Sequence, residues 1–289
     1  MIAASFEYDA PSTLDDAIGL LHQYGEEAKI LSGGHSLIPM MKLRFASPER
    51  VIDINGIPGL SYIKEEDGVL KFGALTRESE IEHSDLLKEK YPIFADVTKL
   101  IADPQVRNMS TVGGNLAHGD AANDHPAVML ALRATVIATG KDGKRSIPID
   151  EFFFGFYTTA LQHGEILTEI QIPIPPKGTG SAYHKLERKV GDYATAGVAV
   201  QFTIENGTCT AIGIGLTNVN PIPLRAKRSE KLLLNNPLTD ENIAEAAKLA
   251  SEDCSPSADL RGSEEYKRAM VAVLVKRMIK KAEIGRAHV

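Results

Sequence analysis

Leu31-Ser32-Gly33-Gly34-His35-Ser36-Leu37 is a glycine-centred loop that joins a predicted strand to a predicted helix near the start of the chain. Adjacent glycines reach backbone angles that other residues avoid, and their N–H groups can then form a concave nest for an anion. The helix that follows adds a partial positive charge at its N-terminus. The stretch therefore predicts a diphosphate-binding loop that needs no lysine. The alternative is a plain strand-to-helix turn in which Ser36 caps the helix.

A second loop of the same kind, Ser110-Thr111-Val112-Gly113-Gly114-Asn115, lies about eighty residues further along the chain. Its glycines allow close backbone approach, and hydroxyl and amide side chains stand beside them. Two such loops predict a site that holds both phosphates of a dinucleotide between them. Two unrelated tight turns are the alternative.

Strands alternate with helices around the first loop, which predicts a small α/β unit over residues 1–57. The pattern places a helix at 14–24 that ends at Gly25, a strand at 28–31, a helix at 36–41 and a strand at 51–54. Pro58-Gly59 marks the first boundary.

A second unit is predicted over residues 58–177, and a cluster of proline and glycine between 173 and 180 marks its end. Its predicted elements are a hairpin of 60–63 with 69–72 that turns at 65–68, helices at 78–87 and 94–100, a loop-rich stretch at 103–126, and strands at 135–138 and 166–174.

The last unit, residues 178–289, is predicted to combine an antiparallel pair with helices. Alternation on both sides of Asn206-Gly207 pairs 198–204 with 209–216, and Gly213-Ile214-Gly215 is interpreted as part of the second strand. The predicted helices cover 225–234, 241–251 and 264–281.

Composition and charge exclude several classes of protein. The net charge of −6 argues against broad nucleic-acid binding. No apolar run approaches the ~20 residues that cross a bilayer, and the polar N-terminus does not look like a secretory signal, so we predict a cytoplasmic protein without a transmembrane segment. Cys209 and Cys254 are too few for a cysteine-ligated iron–sulfur cluster and are predicted to be structural.

Signatures of other chemistries are absent from the sequence. There is no G-x-G-x-x-G after the first strand, no Walker loop, no H-E-x-x-H and no G-x-S-x-G. His118 and His125 are predicted to form hydrogen bonds or lie at the surface rather than bind a metal. We therefore predict neither a metal site nor a catalytic triad.

Two further stretches carry candidate binding residues. In Asn123-Asp124-His125-Pro126, Asp124 could accept a hydrogen bond from a ligand hydroxyl, and helix capping is the alternative. In KLERKVGDYA (185–194), a cation and an aromatic could stabilise reduced-flavin charge and stack on an isoalloxazine ring. A solvated basic stretch is the alternative for that segment.

The two glycine loops resemble those of the FAD-binding subunit of molybdenum hydroxylases, within the xanthine dehydrogenase family, and most of all the medium subunit of the aerobic carbon monoxide dehydrogenase type. Further similar stretches are GGHSLIPMM (33–41), IADPQVR (101–107), RKVGDYATA (188–196) and IGLTN (214–218). The resemblance runs from about residue 1 to about residue 285. Ser32 stands where the family often has Ala, and Val112 where it often has Ile; neither departure removes a glycine.

The resemblance implies an α+β fold: a vanillyl-alcohol-oxidase-type (PCMH-type) FAD-binding domain in two α/β parts, then a C-terminal domain with a small antiparallel sheet and helices. It also implies an FAD site. The diphosphate would be held through backbone N–H groups by two sets of residues: Ser32, Gly33, Gly34, His35 and Ser36 in the first loop, and Thr111, Val112, Gly113, Gly114 and Asn115 in the second. Asp124 would bind the ribityl or phosphate end, and Ile101 would lie against the flavin. Leu167 and Lys185 would lie near the ring or adenine, and Tyr193 near the isoalloxazine.

The implied role is electron transfer. A large molybdopterin subunit would oxidise the substrate, a small subunit with [2Fe–2S] clusters would pass electrons on, and this chain would deliver them from FAD to an outside acceptor. The implied assembly is a dimer of heterotrimers, and no side chain of this chain need be catalytic. Two alternatives stay open: a free-standing flavoenzyme of the same fold, and an assembly module without flavin.

Overall fold

Three separate β-sheets, each drawn from its own part of the sequence, organise the computed structural model, which describes residues 2–286. The first sheet is wholly parallel, with strands β1 (Glu7–Asp9), β2 (Ala28–Leu31) and β3 (Arg50–Asp53) in the order β1-β3-β2. Helices α1 (Leu14–Tyr24) and α2 (Leu37–Lys42) connect these strands. Parallel neighbours require such crossovers, which explains the alternating pattern of this region.

The second sheet is antiparallel and has the order β4-β5-β10-β6-β7. Its strands are β4 (Ile63–Glu66), β5 (Val69–Gly73), β6 (Thr135–Gly140), β7 (Gly143–Pro148) and β10 (Ile166–Pro173). Six helices follow β5, namely α3 (Glu78–His83), α4 (Asp85–Lys90), α5 (Pro92–Thr98), α6 (Pro104–Arg107), α7 (Val112–Ala117) and α8 (Asp124–Ala131). A small hairpin, β8 (Phe153–Gly155) with β9 (Thr158–Thr159), precedes β10.

The third sheet is an antiparallel meander of β11 (Thr179–Leu186), β12 (Ala196–Glu205), β13 (Thr208–Thr217) and β14 (Leu224–Arg225). Helices α9 (Lys227–Leu233), α10 (Asp240–Asp253) and α11 (Glu264–Arg286) complete this part. Helices α10 and α11 pack against this third sheet and form a hydrophobic core with it. Small and branched side chains make the contact, among them Ala246, Ala250, Val271 and Val275. We retain 1–57, 58–177 and 178–289 as proposed domain limits; residues 287–289 lie outside the described part of the chain.

Several predicted elements shift in the structure. The stretch 103–126, predicted to be loop-rich, contains α6, α7 and the start of α8, because caps such as Asp103 and Thr111 begin short helices among its glycines. The predicted hairpin strand at 60–63 lies at 63–66 instead. Its turn is Asp67-Gly68, where both φ angles are positive (54° and 78°), as a two-residue hairpin turn demands.

Strand β11 was missed by the sequence patterns. It begins within the proline- and glycine-rich stretch that we interpreted as a boundary, and it ends in the segment that we treated as a basic stretch. It pairs over its whole length with residues 196–203 of β12, and this contact, which no local pattern reveals, holds it in place. None of the helices in residues 2–286 combines the length and apolarity that crossing a membrane requires.

Helix α8 is buried along its whole length and packs on strand β13. A Cβ atom on Gly213 would collide with the carbonyl oxygen of Ala131, and one on Gly215 with that of Ala127. The glycine pair in β13 therefore has a packing role, which confirms its interpretation as part of a strand. This contact positions the N-terminal end of α8, where Asp124 lies.

Replacing Gly215 with alanine is expected to lower the free energy of unfolding by about 1–3 kcal/mol, because helix and strand must move apart to admit one methyl group. Urea denaturation of the full chain measures this change. Gly19→Ala is the matched control, since a Cβ there meets nothing within 4 Å on helix α1. We expect the control to be neutral or slightly stabilising. Equal stability of both variants would show that α8 does not pack as closely as described.

Candidate functional site

A cleft of about 720 Å³ lies where the three parts of the chain meet. Its wall combines residues from strand β2 and the loop after it, from the region of α6 and α7, and from strand β11 with the loop that follows. The volume falls within the range of roughly 300–1,000 Å³ that is typical of small-molecule and cofactor sites.

The loop between β2 and α2 presents backbone donors to this cleft. Within the described residues, the N–H groups of 33–36 have no hydrogen-bond acceptor in the chain. The carbonyl oxygens of the loop are engaged instead: Gly33 O contacts His35 Nδ1 at 2.8 Å, and Gly34 O accepts from Ile38 N at 3.0 Å. Gly34 has a φ of 73°, which glycine reaches without strain. Residues 33–36 all line the cleft, so their free N–H donors are available to an anionic ligand.

The two glycine loops touch each other at one edge of the cleft. A Cβ on Gly33 would lie 2.5 Å from Met109 O and 2.6 Å from the Cα of Ser110. A Cβ on Gly114 would lie 2.6 Å from Ser32 Oγ. The hydroxyls of Ser32 and Thr111 are 3.2 Å apart and share a hydrogen bond. The absence of side chains at Gly33 and Gly114 is therefore what lets the loops approach.

The second loop differs from its prediction, because its backbone donors are already used. Val112 N donates to Thr76 O, Gly113 N to Ala74 O, Gly114 N to the Thr111 hydroxyl and Asn115 N to Thr111 O. Binding through these four N–H groups is not open to a ligand in this conformation. The loop offers side chains instead. Asn115 Oδ1 is buried without a hydrogen-bond partner in the described chain, and Asn115 lines the cleft.

Asp124 and Lys185 form a buried ion pair on the cleft wall. Lys185 Nζ lies 2.9 Å from Asp124 Oδ2, and the Tyr183 hydroxyl donates to Asp124 Oδ1 at 2.5 Å. Burial raises the pKa of Asp124, while Lys185 and Tyr183 oppose that rise. The same burial, with the nearby carboxylate, raises the pKa of Tyr183 well above its usual value. The pair closes one side of the cleft, and Glu187 Oε2 lies 3.6 Å from the same ammonium group.

His125 lies next to this pair and faces away from solvent. Its Nε2 is 2.7 Å from Glu78 Oε2, and both side chains are fully buried. Burial opposes the charged imidazole, but Glu78 still holds the pKa of His125 above its usual value. His125 is therefore a hydrogen-bonding histidine. No cluster of three or more His, Cys, Asp or Glu within residues 2–286 is arranged to hold a metal ion.

The segment around Tyr193 forms the opposite edge of the cleft, near Ile101. Gly191 has a φ of 78°, and a Cβ there would collide with Ala102 O, so this glycine lets the segment pack beside Ile101. Arg188 and Arg261 both donate to Asp192; Arg261 contributes most to lowering the pKa of this carboxyl to about 2. Tyr193 lines the cleft and is 46% exposed, and the guanidinium of Arg261 lies over its ring, 5.6 Å from the ring centre.

Three predicted site residues do not reach the cleft wall. Leu167 is buried in the hydrophobic core of the second sheet, where it pairs with Ala138 of the neighbouring strand. Val112 and Gly113 are buried members of the second loop that do not line the cleft, and a Cβ on Gly113 would be 2.6 Å from Ala74 O. Gly113 therefore serves packing in the described structure. The other predicted residues all line the cleft, and they are Ser32, Gly33, Gly34, His35, Ser36, Ile101, Thr111, Gly114, Asn115, Asp124, Lys185 and Tyr193.

The sequence patterns missed several residues that shape the site. Asn55 and Arg77 hold the two loops in place through side-chain hydrogen bonds. Tyr183 completes the hydrogen bonding of Asp124. The stacked rings of His118 and Tyr157, 4.7 Å apart, add an aromatic wall. Their partners are remote in sequence, so no local motif could have identified them.

Comparisons with known proteins match almost the whole chain. Residues 4–175 match the FAD binding domain in molybdopterin dehydrogenase, and residues 181–282 match the CO dehydrogenase flavoprotein C-terminal domain. The medium chain of carbon monoxide dehydrogenase from Hydrogenophaga pseudoflava is 47% identical over 282 residues, which cover 98% of each chain.

Solved structures agree with these matches. A structure of carbon monoxide dehydrogenase from Hydrogenophaga pseudoflava has a TM-score of 0.96 at 48% identity, covering 98% of each chain. Quinoline 2-oxidoreductase from Pseudomonas putida 86 has a TM-score of 0.91 at 31% identity, covering 99% of each chain. The fold class and the family resemblance predicted from the two loops are confirmed. The chain therefore belongs to the molybdopterin dehydrogenase flavoprotein family, with its FAD-binding domain followed by its CO dehydrogenase flavoprotein C-terminal domain.

Proposed function

We propose that the chain holds FAD in the cleft and transfers electrons within a molybdenum hydroxylase of the carbon monoxide dehydrogenase type. One observation carries this proposal: the N–H groups of residues 33–36 have no acceptor in the described chain, and these residues line the cleft where the two glycine loops meet. Such donors bind a diphosphate without a cationic side chain.

The donor set fits this cofactor. The N–H groups of 33–36 would donate to the diphosphate, and the hydroxyls of Ser32 and Thr111 would complete that end of the site. Asn115 Oδ1 lacks a donor in the described chain, which a ligand hydroxyl or amide could supply. At the other end, Ile101 and Tyr193 offer an apolar and an aromatic surface for a flat ring.

Bound FAD would supply the redox chemistry, since a flavin exchanges electrons singly or in pairs. The chain itself would position the cofactor and set its electrostatic surroundings. The buried Asp124–Lys185 pair is well suited to this, because it brings fixed and matched charges to the wall. No side chain is required to act as a general base.

The partners follow from relatives. The relative from Hydrogenophaga pseudoflava is a medium chain of carbon monoxide dehydrogenase. We extend this to a complex with a large molybdopterin subunit and a small [2Fe–2S] subunit, assembled as a dimer of heterotrimers in the cytoplasm. Substrate choice would reside on another chain, since relatives named for carbon monoxide and for quinoline share this fold.

Two other functions are distinguishable by experiment. A free-standing flavoenzyme would bind FAD and turn over a substrate without partners, whereas the proposed subunit would co-purify with large and small subunits. An assembly module would co-purify with them but remain colourless when FAD is supplied. The free donors of the first loop favour a flavin site over the second alternative.

FAD binding by the full chain tests the proposal, alone and co-expressed with large and small subunits, by visible absorbance and titration. Gly114→Ala is expected to weaken binding by about three- to tenfold, because its Cβ would push apart the Ser32 and Thr111 hydroxyls. The hydroxyls can rotate, so we expect the variant to fold. Gly19→Ala is the control and should bind as the native chain does. A native chain that fails to bind FAD even with its partners would exclude the proposed function.

A further inference from the structure

Arg77 connects the two glycine loops from behind the cleft wall. Its Nη1 donates to the carbonyl oxygen of Met109, and its Nη2 donates to Asn55 Oδ1 at 2.6 Å. The amide of Asn55 in turn donates to Ser32 O at 2.8 Å. One guanidinium and one amide thus form a continuous chain of hydrogen bonds between the first and second loops.

This chain of hydrogen bonds spans two parts of the fold. Asn55 follows strand β3 of the first sheet, whereas Arg77 directly precedes helix α3 beside the second sheet. The carbonyl that Arg77 holds is the one that a Cβ on Gly33 would meet at 2.5 Å. Arg77 therefore fixes the atom against which the first loop rests, and with it the distance between the loops.

The charge of this guanidinium is not balanced by a direct partner in the described chain. Both of its side-chain hydrogen-bond acceptors are neutral oxygens. Two nearby carboxylates, Glu80 and Asp53, partly offset the charge without forming an ion pair with the guanidinium in the described chain. Glu80 accepts from the backbone N–H of Arg77 at 2.7 Å, and Asp53 is bound by the Tyr8 hydroxyl at 2.7 Å and by Asn55. Burial lowers the pKa of Arg77, which shows that its positive charge lacks full solvation. An anion close by would offset this cost.

The other cationic side chains around the cleft are already paired. Lys185 contacts Asp124 at 2.9 Å, and Lys29 contacts Glu26 at 3.8 Å. Neither leaves a free charge at the loops. Among the residues that the structure describes, Arg77 differs from these two lysines in forming no ion pair, and it reaches the first loop through Asn55.

We propose that Arg77 is a positioning residue for the diphosphate: with Asn55 it fixes the gap between the two loops, and its positive charge, which forms no ion pair in the described chain, favours an anion there. This inference rests on the proposed FAD function. Arg77 does not itself line the cleft, so it acts through Met109 and Asn55 and through space.

The test separates the charge of Arg77 from its bulk. Native chain, Arg77→Met and Arg77→Lys are titrated with FAD by quenching of flavin fluorescence, in the full chain together with its partner subunits. We expect Arg77→Met to raise the dissociation constant at least about tenfold, and Arg77→Lys to recover a large part of that loss. Arg133→Met and Arg133→Lys are controls, since Arg133 also donates to a carbonyl, that of Ile212, but lies outside the cleft.

Every outcome of these titrations either supports or overturns the proposed role of Arg77. Equal dissociation constants for Arg77→Met and the native chain, or equal losses for Met and Lys, would overturn the inference, because charge would then play no part. Thermal unfolding of the FAD-free variants identifies a folding defect. If Arg77→Met does not fold, Asn55→Asp replaces it: a carboxylate at this position would neutralise Arg77, and we expect a loss of about tenfold. A native chain without FAD binding would instead refute the proposed function.

Discussion

Gly33→Ala is expected to abolish saturable FAD binding, with an affinity loss of more than about a hundredfold. The new Cβ would lie 2.5 Å from Met109 O and 2.6 Å from the Cα of Ser110. Ordinary contact begins near 3.4 Å, so the loops must separate by almost 1 Å. Both opposing atoms belong to the backbone, which cannot rotate away as a hydroxyl can. The expected effect is therefore larger than that of Gly114→Ala.

The measurement is a titration of the chain with FAD, followed by absorbance, beside thermal unfolding of the FAD-free variant. Separation of the loops would also strain the hydrogen bonds of Arg77 to Met109 and Asn55, so a lower unfolding temperature is expected. Gly19→Ala carries the same added methyl group in open space and serves as the control. Native affinity in Gly33→Ala would mean that the close approach of the loops is not needed for binding.

The sequence predicted the first loop better than the second. In sequence, both loops consist of paired glycines beside hydroxyl residues. They differ in whether their backbone N–H groups already have acceptors within the chain. The donors at 112 and 113 bond to Thr76 and Ala74, residues of a distant segment that only the folded chain brings near. At the first loop the segment that approaches, around Met109 and Ser110, accepts no hydrogen bond from the N–H groups of 33–36, so these donors remain free in the described chain. Local sequence indicates which backbone angles a loop can adopt. It does not indicate which of the loop's N–H groups will donate to acceptors on distant segments.

The residues missed by sequence analysis share one physical property. Arg77 bonds to Asn55, 22 positions away, and to Met109, 32 positions away. Such side chains act through contacts between sheets, and their types are common on any protein surface. Leu167 illustrates the reverse case: the family resemblance implied a place near the ring or adenine, and the described structure shows its side chain in the hydrophobic core of the second sheet, so its proximity to a bound cofactor stays a prediction.

Lys185→Met is expected to destabilise the protein by about 3–5 kcal/mol near neutral pH, because it leaves the Asp124 carboxylate buried without its cation. The Lys185 side chain is 1% exposed, and its ammonium group lies 2.9 Å from Asp124. In the variant, the Tyr183 hydroxyl and the nearby His125 still oppose the rise in the pKa of Asp124 that burial causes, but the cation that opposes it most is gone. Methionine fills a similar volume, so packing loss contributes little.

The variant should also change how stability depends on pH. With its pKa raised in the folded state, Asp124 favours folding when protonated, so its contribution to the stability of the variant is most favourable below the unfolded carboxyl pKa of 3.8 and is lost as pH rises. Urea unfolding at pH 5 and pH 8 should therefore show a larger loss of stability, relative to the native chain, at pH 8.

The double variant Asp124→Asn/Lys185→Met removes the buried charge and should recover most of the stability at both pH values. If the double variant is no more stable than Lys185→Met, the deficit comes from lost packing rather than from an uncompensated carboxylate. In that case the cleft wall does not depend on matched charges, and the electrostatic role that we assign to the pair would not stand.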